Sequence, residues 1–298
     1  MMTTALLLGA IGLSFASPGR GEEPKKPSFR VPLNHFYVVL DPATYKAIES
    51  SDFLRGQFAP SEIRTTVRTD MSYTGLYFYG TNTYFEFFDA SNSAMGGAGA
   101  SGIAFGVEQP GALQSLTNEQ PSRFALVPAP ITRQYKDSQV PWFFMGVPKA
   151  SESGGFQTWI MEYHPRFLAE WNPMEGKANQ GITRKALLER YVAVLKSTPA
   201  QPCLQDVIGL TINLDSSTAT QLIEMCQALG YLSKTEGNVT TLEGPDDFKL
   251  RVMVDATSAK GIREMTMRVS REPEQKELPL GKSVLRFTGN GQATWSFQ

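Results

Sequence analysis

LNHFYVVLD (residues 33–41) and TYFEFFD (residues 83–89) are apolar runs of strand length, each carrying one side chain able to bind a metal or move a proton. Strand alternation puts His35, Tyr37 and Val39 on one face of the first run and Tyr84, Glu86 and Phe88 on one face of the second. On neighbouring strands His35 and Glu86 would meet. Between the two runs, DPATYKAIESSDFLRGQF predicts a short helix, and EIRTTVRT and GLYFYG predict strands. Residues 31–89 therefore read as strand, helix and three strands.

The same order returns downstream. DASNSAMGGAGA (residues 89–100) is a small-residue run that no regular element favours, and it marks a boundary. SGIAFGVE, QPGALQSLTNEQP, RFALVPAP, VPWFFMGVP and FQTWIMEYHP then predict strand, helix or loop, and three strands over residues 101–165. Setting TYFEFFD beside WIMEYHP places Glu86 opposite Glu162. Setting LNHFYVVL beside ASGIAFGV places His35 opposite Gly102, or Ser101 with a shift of one. Repetition of both element order and a charged strand residue argues for two related modules.

Residues 166–205 depart from this order. They read as a loop followed by a linker helix, ITRKALLERYVAVLK, capped by Thr183, with Leu187, Leu188, Tyr191, Val192 and Leu195 on one stripe. Residues 206–298 open again with a strand, DVIGLTINLD, and a helix stopped by Gly230, and they end in a hairpin about Gly289-Asn290-Gly291. They predict a third, extended βαβββ-like module. Gly209 stands at its His35 position, and FKLRVMVD has no carboxylate where Glu86 sits, so its expected role is structural.

Composition narrows the functional classes. Of 298 residues, 41% are hydrophobic and 11% aromatic, which is ample for a packed core. Lys and Arg total 28 against 29 Asp and Glu, with no basic block, so nucleic acid is not an expected partner. Residues 1–16 contain ALLLGAIGLSFA and no charged side chain, which predicts a signal peptide cleaved near Ser14-Phe15-Ala16, a polar linker at 17–30, and a periplasmic or secreted protein without stable membrane insertion. The two cysteines, Cys203 and Cys226, either pair or remain buried thiols. No phosphate-binding loop, nucleophile elbow or Cys–His pair appears, and two histidines leave little for a histidine-dependent hydrolase.

The strand–helix–three-strand order, with Asn34-His35 opening the first strand and Glu86 inside the last, resembles the vicinal-oxygen-chelate superfamily of glyoxalase, bleomycin-resistance and extradiol-dioxygenase relatives. The PWFF strand and closing His164-Pro165 look closest to its uncharacterised glyoxalase-like families. The resemblance implies an α+β fold in which paired βαβββ modules form an open mixed-sheet cup around residues 31–165. It also implies a divalent metal (Zn, Mn, Fe or Ni) held by His35, Glu86 and Glu162, with Glu86 and Glu162 as catalytic groups. The fourth ligand position falls on Ser101 or Gly102, neither a good ligand, and His164, two residues beyond Glu162, is the candidate replacement or a rim residue. Tyr37, Tyr77, Tyr79, Tyr84, Trp142, Phe144 and Trp159 all fall on strands of these modules and supply an aromatic pocket; the first six, with His164, are the expected small-molecule contacts. Two functions remain open: isomerase, lyase or dioxygenase chemistry on a metal, and metal-free binding or sequestration of a small organic molecule. A homodimer is a further open expectation.

Overall fold

The computed structural model describes residues 30–149, 155–170 and 180–298. The expected signal peptide and residues 17–29 of the linker lie outside them. The first module comprises β1 (Leu33–Leu40), α1 (Pro42–Glu49), β2 (Ser61–Val67), β3 (Ser72–Tyr79) and β4 (Tyr84–Asp89). The second comprises β5 (Ser101–Val107), α2 (Ala112–Glu119), β6 (Phe124–Leu126), β7 (Ile131–Tyr135), β8 (Ser138–Pro148) and β9 (Phe156–Tyr163). Strand β7, in the stretch ITRQY, is an addition to the expected order and pairs with β8. The strands lie in the order β2-β3-β4-β1-β5-β9-β8-β6, so the modules join along the antiparallel β1–β5 pair, where Phe36 faces Ile103. An approximate two-fold passes through that pair.

The connecting segment contains α3 (Pro165–Glu170) and α4 (Arg184–Ala193). Thr183 caps α4 by accepting from the Ala186 amide at 3.2 Å. Neither helix is a free span between domains. Phe167, Leu168, Leu187, Leu188 and Tyr191 pack on Tyr77, Tyr79, Tyr84 and Tyr163 of the first sheet.

Residues 204–298 hold eight strands rather than one extended module. They are β10 (Leu204–Asn213), β11 (Leu232–Glu236), β12 (Val239–Glu243), β13 (Lys249–Met253), β14 (Gly261–Val269), β15 (Glu277–Leu280), β16 (Ser283–Gly289) and β17 (Gln292–Ser296), with α5 (Ser216–Ala228) after β10. Their order, β11-β12-β13-β10-β14-β17-β16-β15, repeats that of the first sheet. The second half of this pair has no helix between β14 and β15, so the strand–helix signal that would have announced a fourth module is missing from the sequence. The expected turn at Asn290-Gly291 is present with φ of +54° and +72°, as a two-residue turn between right-twisted strands needs.

Helix starts make the repeat visible at atomic scale. Asp41 accepts from the Thr44 amide at 3.2 Å and hydroxyl at 2.7 Å, and Asp215 accepts from the Thr218 amide at 3.0 Å and hydroxyl at 2.7 Å. Both sheets turn the same face inward. Phe36, Val38, Phe78, Phe85 and Phe87 of the first meet Leu210, Ile212, Met265, Met267 and Trp295 of the second in one continuous core. Trp295 is fully buried, with ring centroids of Phe58, Phe78, Phe85, Phe87 and Phe297 between 5.2 and 6.2 Å away. Cys203 and Cys226 are free, buried thiols in this core.

Candidate functional site: an aromatic cup with one polar centre

Every residue of β1 is buried, because both its faces are covered. Beyond the register slip near its start, Phe36, Val38 and Leu40 enter the core between the sheets, and His35, Tyr37 and Val39 face the hollow side of the first sheet. Helices α3 and α4 fill one end of that hollow. The Tyr191 ring lies parallel to Tyr79 at 5.8 Å, and its hydroxyl takes a 3.5 Å bond from Arg133 on β7, so α4 links the two edges of the cup. What remains open is a cavity of about 350 Å³. Aromatic rings, four methionines, Arg68, Gln157, His35 and Glu86 line it.

His35 and Glu86 form its polar centre. Each is 7% exposed, and His35 Nε2 stands 3.8 Å from Glu86 Oε1. His35 Nδ1 lies 2.8 Å from Asn34 Oδ1, so with that oxygen accepting, Nδ1 carries the proton and the Nε2 lone pair faces Glu86. Asn34 reaches this position where the β1–β5 register slips, against Gly106, whose missing Cβ leaves room for the amide. Tyr84 stacks on the imidazole at 4.4 Å and Trp159 meets it edge-on at 5.4 Å. Burial, aided by the Arg64 guanidinium, holds the His35 imidazole down at about 3. Burial pushes the Glu86 carboxyl up to about 8, against the opposing pull of Arg64 and of the Tyr77 and Tyr84 phenols. Both shifts favour the uncharged forms. Arg64 lies 4.2 Å above the Tyr77 ring and donates to Glu62 at 2.8 Å, so its charge is largely engaged there.

Glu162 is not part of this centre. The two-fold through Phe36 and Ile103 carries Tyr37 to Ala104; Tyr37 pairs with Glu86 and Ala104 pairs with Trp159, so the counterpart of Glu86 is Trp159. Glu162 lies three residues further on, and an odd displacement along a strand reverses the face. Its carboxylate instead accepts from the Gly111 amide at 2.7 Å and the Leu113 amide at 2.9 Å, capping α2. Phe144, paired with Glu162, and His164, whose ring lies 4.9 Å from Phe144, are likewise outside the cavity lining. His164 Nδ1 accepts from the Arg166 amide at 3.1 Å. Its imidazole is shifted down by burial and by Arg166.

The metal implied by the sequence resemblance does not fit these donors. The counterpart of His35 is Gly102, where an added Cβ would sit 2.5 Å from Tyr37 and 3.1 Å from Trp159. Ser101 is committed elsewhere, its hydroxyl accepting from the Ile262 amide at 3.1 Å. Among the described residues no three His, Cys, Asp or Glu side chains converge to hold an ion. One imidazole and one carboxylate fall short of a mononuclear site built by the protein.

Of the expected aromatic contacts, Tyr37 and Trp142 line the cavity, while Tyr77, Tyr79 and Tyr84 lie in the cup beneath α4. Tyr73, Phe143, Gln157, Trp159 and Met161 line it too. Alternation on β9 signals Gln157, Trp159 and Met161 together, once the phase is taken from Trp159 rather than from the glutamate. Met95 comes from the small-residue run between the modules, which borders the cavity and is not only a boundary.

This chain belongs to a family described as a family of unknown function, DUF5829, whose model matches residues 33–297. No curated protein matches its sequence. Among solved structures, a hypothetical protein from Staphylococcus aureus is similar at 12% identity and a TM-score of 0.46, over 77% of this chain and 88% of that one. An extradiol ring-cleaving dioxygenase from B. fuscum is similar at 11% identity and 0.39, over 78% and 56%. A mutant 4-hydroxymandelate synthase from Streptomyces coelicolor is similar at 12% and 0.37, over 76% and 63%. At such distances the activities of those proteins stay with those proteins. The α+β architecture of paired βαβββ modules is read from this chain's own strand order. No helix among the described residues is long and apolar enough to cross a membrane.

Proposed function

We propose that the protein binds a small, largely apolar organic molecule in the cup of the first sheet, and that it does so without a metal. One observation carries the reading: the cavity on the hollow side of the first sheet is walled by aromatic and methionine side chains that converge on a buried His35–Glu86 pair with, among the described residues, no third His, Cys, Asp or Glu beside it. Its volume of about 350 Å³ suits a ring-sized ligand. Thioethers give such walls the adaptability to accept related shapes. In this arrangement Trp159 and Tyr37 form the apolar platform, and His35 and Glu86 orient one polar group of the ligand.

The test uses ring-sized organic probes and intrinsic tryptophan fluorescence, with the protein treated with chelator and separately supplied with Zn²⁺, Mn²⁺, Fe²⁺ or Ni²⁺. The expected result is saturable binding unchanged by chelator or metal and weakened at least about tenfold by Trp159→Ala, the loss of a large aromatic contact. Binding that appears only after metal addition, or that Trp159→Ala leaves intact, would refute the proposal.

A further inference from the structure

We infer that the ligand of this cup is an organic monocation, a quaternary or fully alkylated ammonium carried on or beside a small ring, with Glu86 as its counter-charge. The inference rests on the cup being a small-molecule site.

Arg68 lines the cavity but is engaged by Asp70 through two bonds of 2.8 and 2.6 Å. Arg64, behind Tyr77, is held by Glu62 at 2.8 Å. His35 is tied through Nδ1 to Asn34, and its Nε2 faces Glu86 at 3.8 Å. Asp70 and Glu62 thus answer the two guanidiniums. Among the described residues Glu86 remains the carboxyl of the cavity wall without a cation of its own: Arg64 acts on it only from within another ion pair, and the Tyr77 and Tyr84 phenols bring hydrogen bonds but no positive charge. A buried carboxyl in that position either stays protonated or takes a positive partner from outside.

The walls choose among partners. A divalent ion needs several lone-pair donors and finds one imidazole and one carboxylate. An alkylated ammonium needs none, because it has few or no N–H groups to satisfy and spreads its charge over methyl groups. Aromatic faces and polarisable thioethers suit it well, and Tyr37, Tyr73, Phe143 and Trp159 supply the rings. An anionic ligand would meet Glu86 with both guanidiniums already engaged.

Phenyltrimethylammonium and tert-butylbenzene are nearly isosteric and differ in charge, so they isolate the claim. Both are titrated into the full chain and into Glu86→Gln, with tryptophan fluorescence as readout. The cation should bind the natural protein at least about tenfold more tightly than the hydrocarbon. Glu86→Gln should erase that preference, so that the two probes bind it within about threefold of each other. Equal binding of both probes by the natural protein, or a cation preference that survives Glu86→Gln, overturns the inference and leaves the cup a neutral-ligand site. Binding of neither probe overturns the inference and counts against the small-molecule reading as well. Should Glu86→Gln fail to fold, the two-probe comparison on the natural protein decides the matter by itself.

Discussion

The two sheets share a strand order and a helix-cap geometry, yet their hollow faces have opposite chemistry. Aligning the caps at Asp41 and Asp215 carries His35 to Gly209 and Tyr37 to Thr211, and the strand partner of Thr211 is Arg251, which is exposed, where the partner of Tyr37 is the buried Glu86. Around Arg251 lie Thr211, Glu264, Thr266 and Thr294, all partly or wholly open to solvent. The first sheet has tyrosines, Trp159 and methionines in the same layer, with α3 and α4 packed over one end. The two kinds of face carry different constraints. Inward faces must match each other to close a common core, so both stay apolar. Hollow faces answer only to solvent or ligand, and one became a lined cavity while the other became polar surface.

Substitutions can break that comparison, beginning with the contact that makes the sheets one body. Trp295→Ala removes the ring around which five phenylalanines cluster and should cost about 3–5 kcal/mol of unfolding free energy in denaturant titration. A loss below about 1 kcal/mol would mean the sheets do not share a core. Glu86 comes next. Its carboxyl is raised to about 8 in the folded protein from an ordinary 4.5, so the folded state holds the proton more tightly and stability falls as pH climbs from about 4.5 to about 8. Glu86→Gln should flatten that decline and be the more stable protein at pH 8, by at most a few kcal/mol; an unchanged slope would place Glu86 in a solvated environment. His35 acts on the acid side. Held near 3 rather than 6.5, it withdraws stability as pH falls from 6.5 toward 3, and His35→Gln should remove that limb of the melting profile. The smallest effect is expected at the other glutamate. Glu162→Ala leaves the Gly111 and Leu113 amides without their acceptor and should cost about 1–2 kcal/mol, with probe binding unchanged. Loss of binding in a variant that still melts near the natural temperature would return Glu162 to the site.

Much of this fold could be read from alternation and punctuation. The small-residue run after Asp89, the repeated strand–helix–strand order and the Asn290-Gly291 turn are local signals, and the structure contains what they specify. The helix-free fourth module could not be read in the same way, because nothing in residues 270–276 marks a crossover. At the site, His35 and Glu86 were legible since they share phase with their neighbours on two adjacent strands. Glu162 misled for a physical reason: a carboxylate among aromatics demands a partner, and sequence alone does not distinguish a metal from two helix amides on the opposite face. Trp159 was visible as an aromatic, but its place as the counterpart of Glu86 depends on β1–β5 pairing, a long-range register that composition does not encode.

Crystallography of chelator-treated protein soaked with a mixture of ring-sized organic fragments decides whether one of the two equivalent hollow faces is a ligand site that works without a metal. Density is expected between Trp159 and Glu86 in the first sheet, with the hollow face of the second sheet, around Thr211 and Arg251, empty. Fragments bound equally on both faces, or a cup that stays empty until a metal is added, would contradict it.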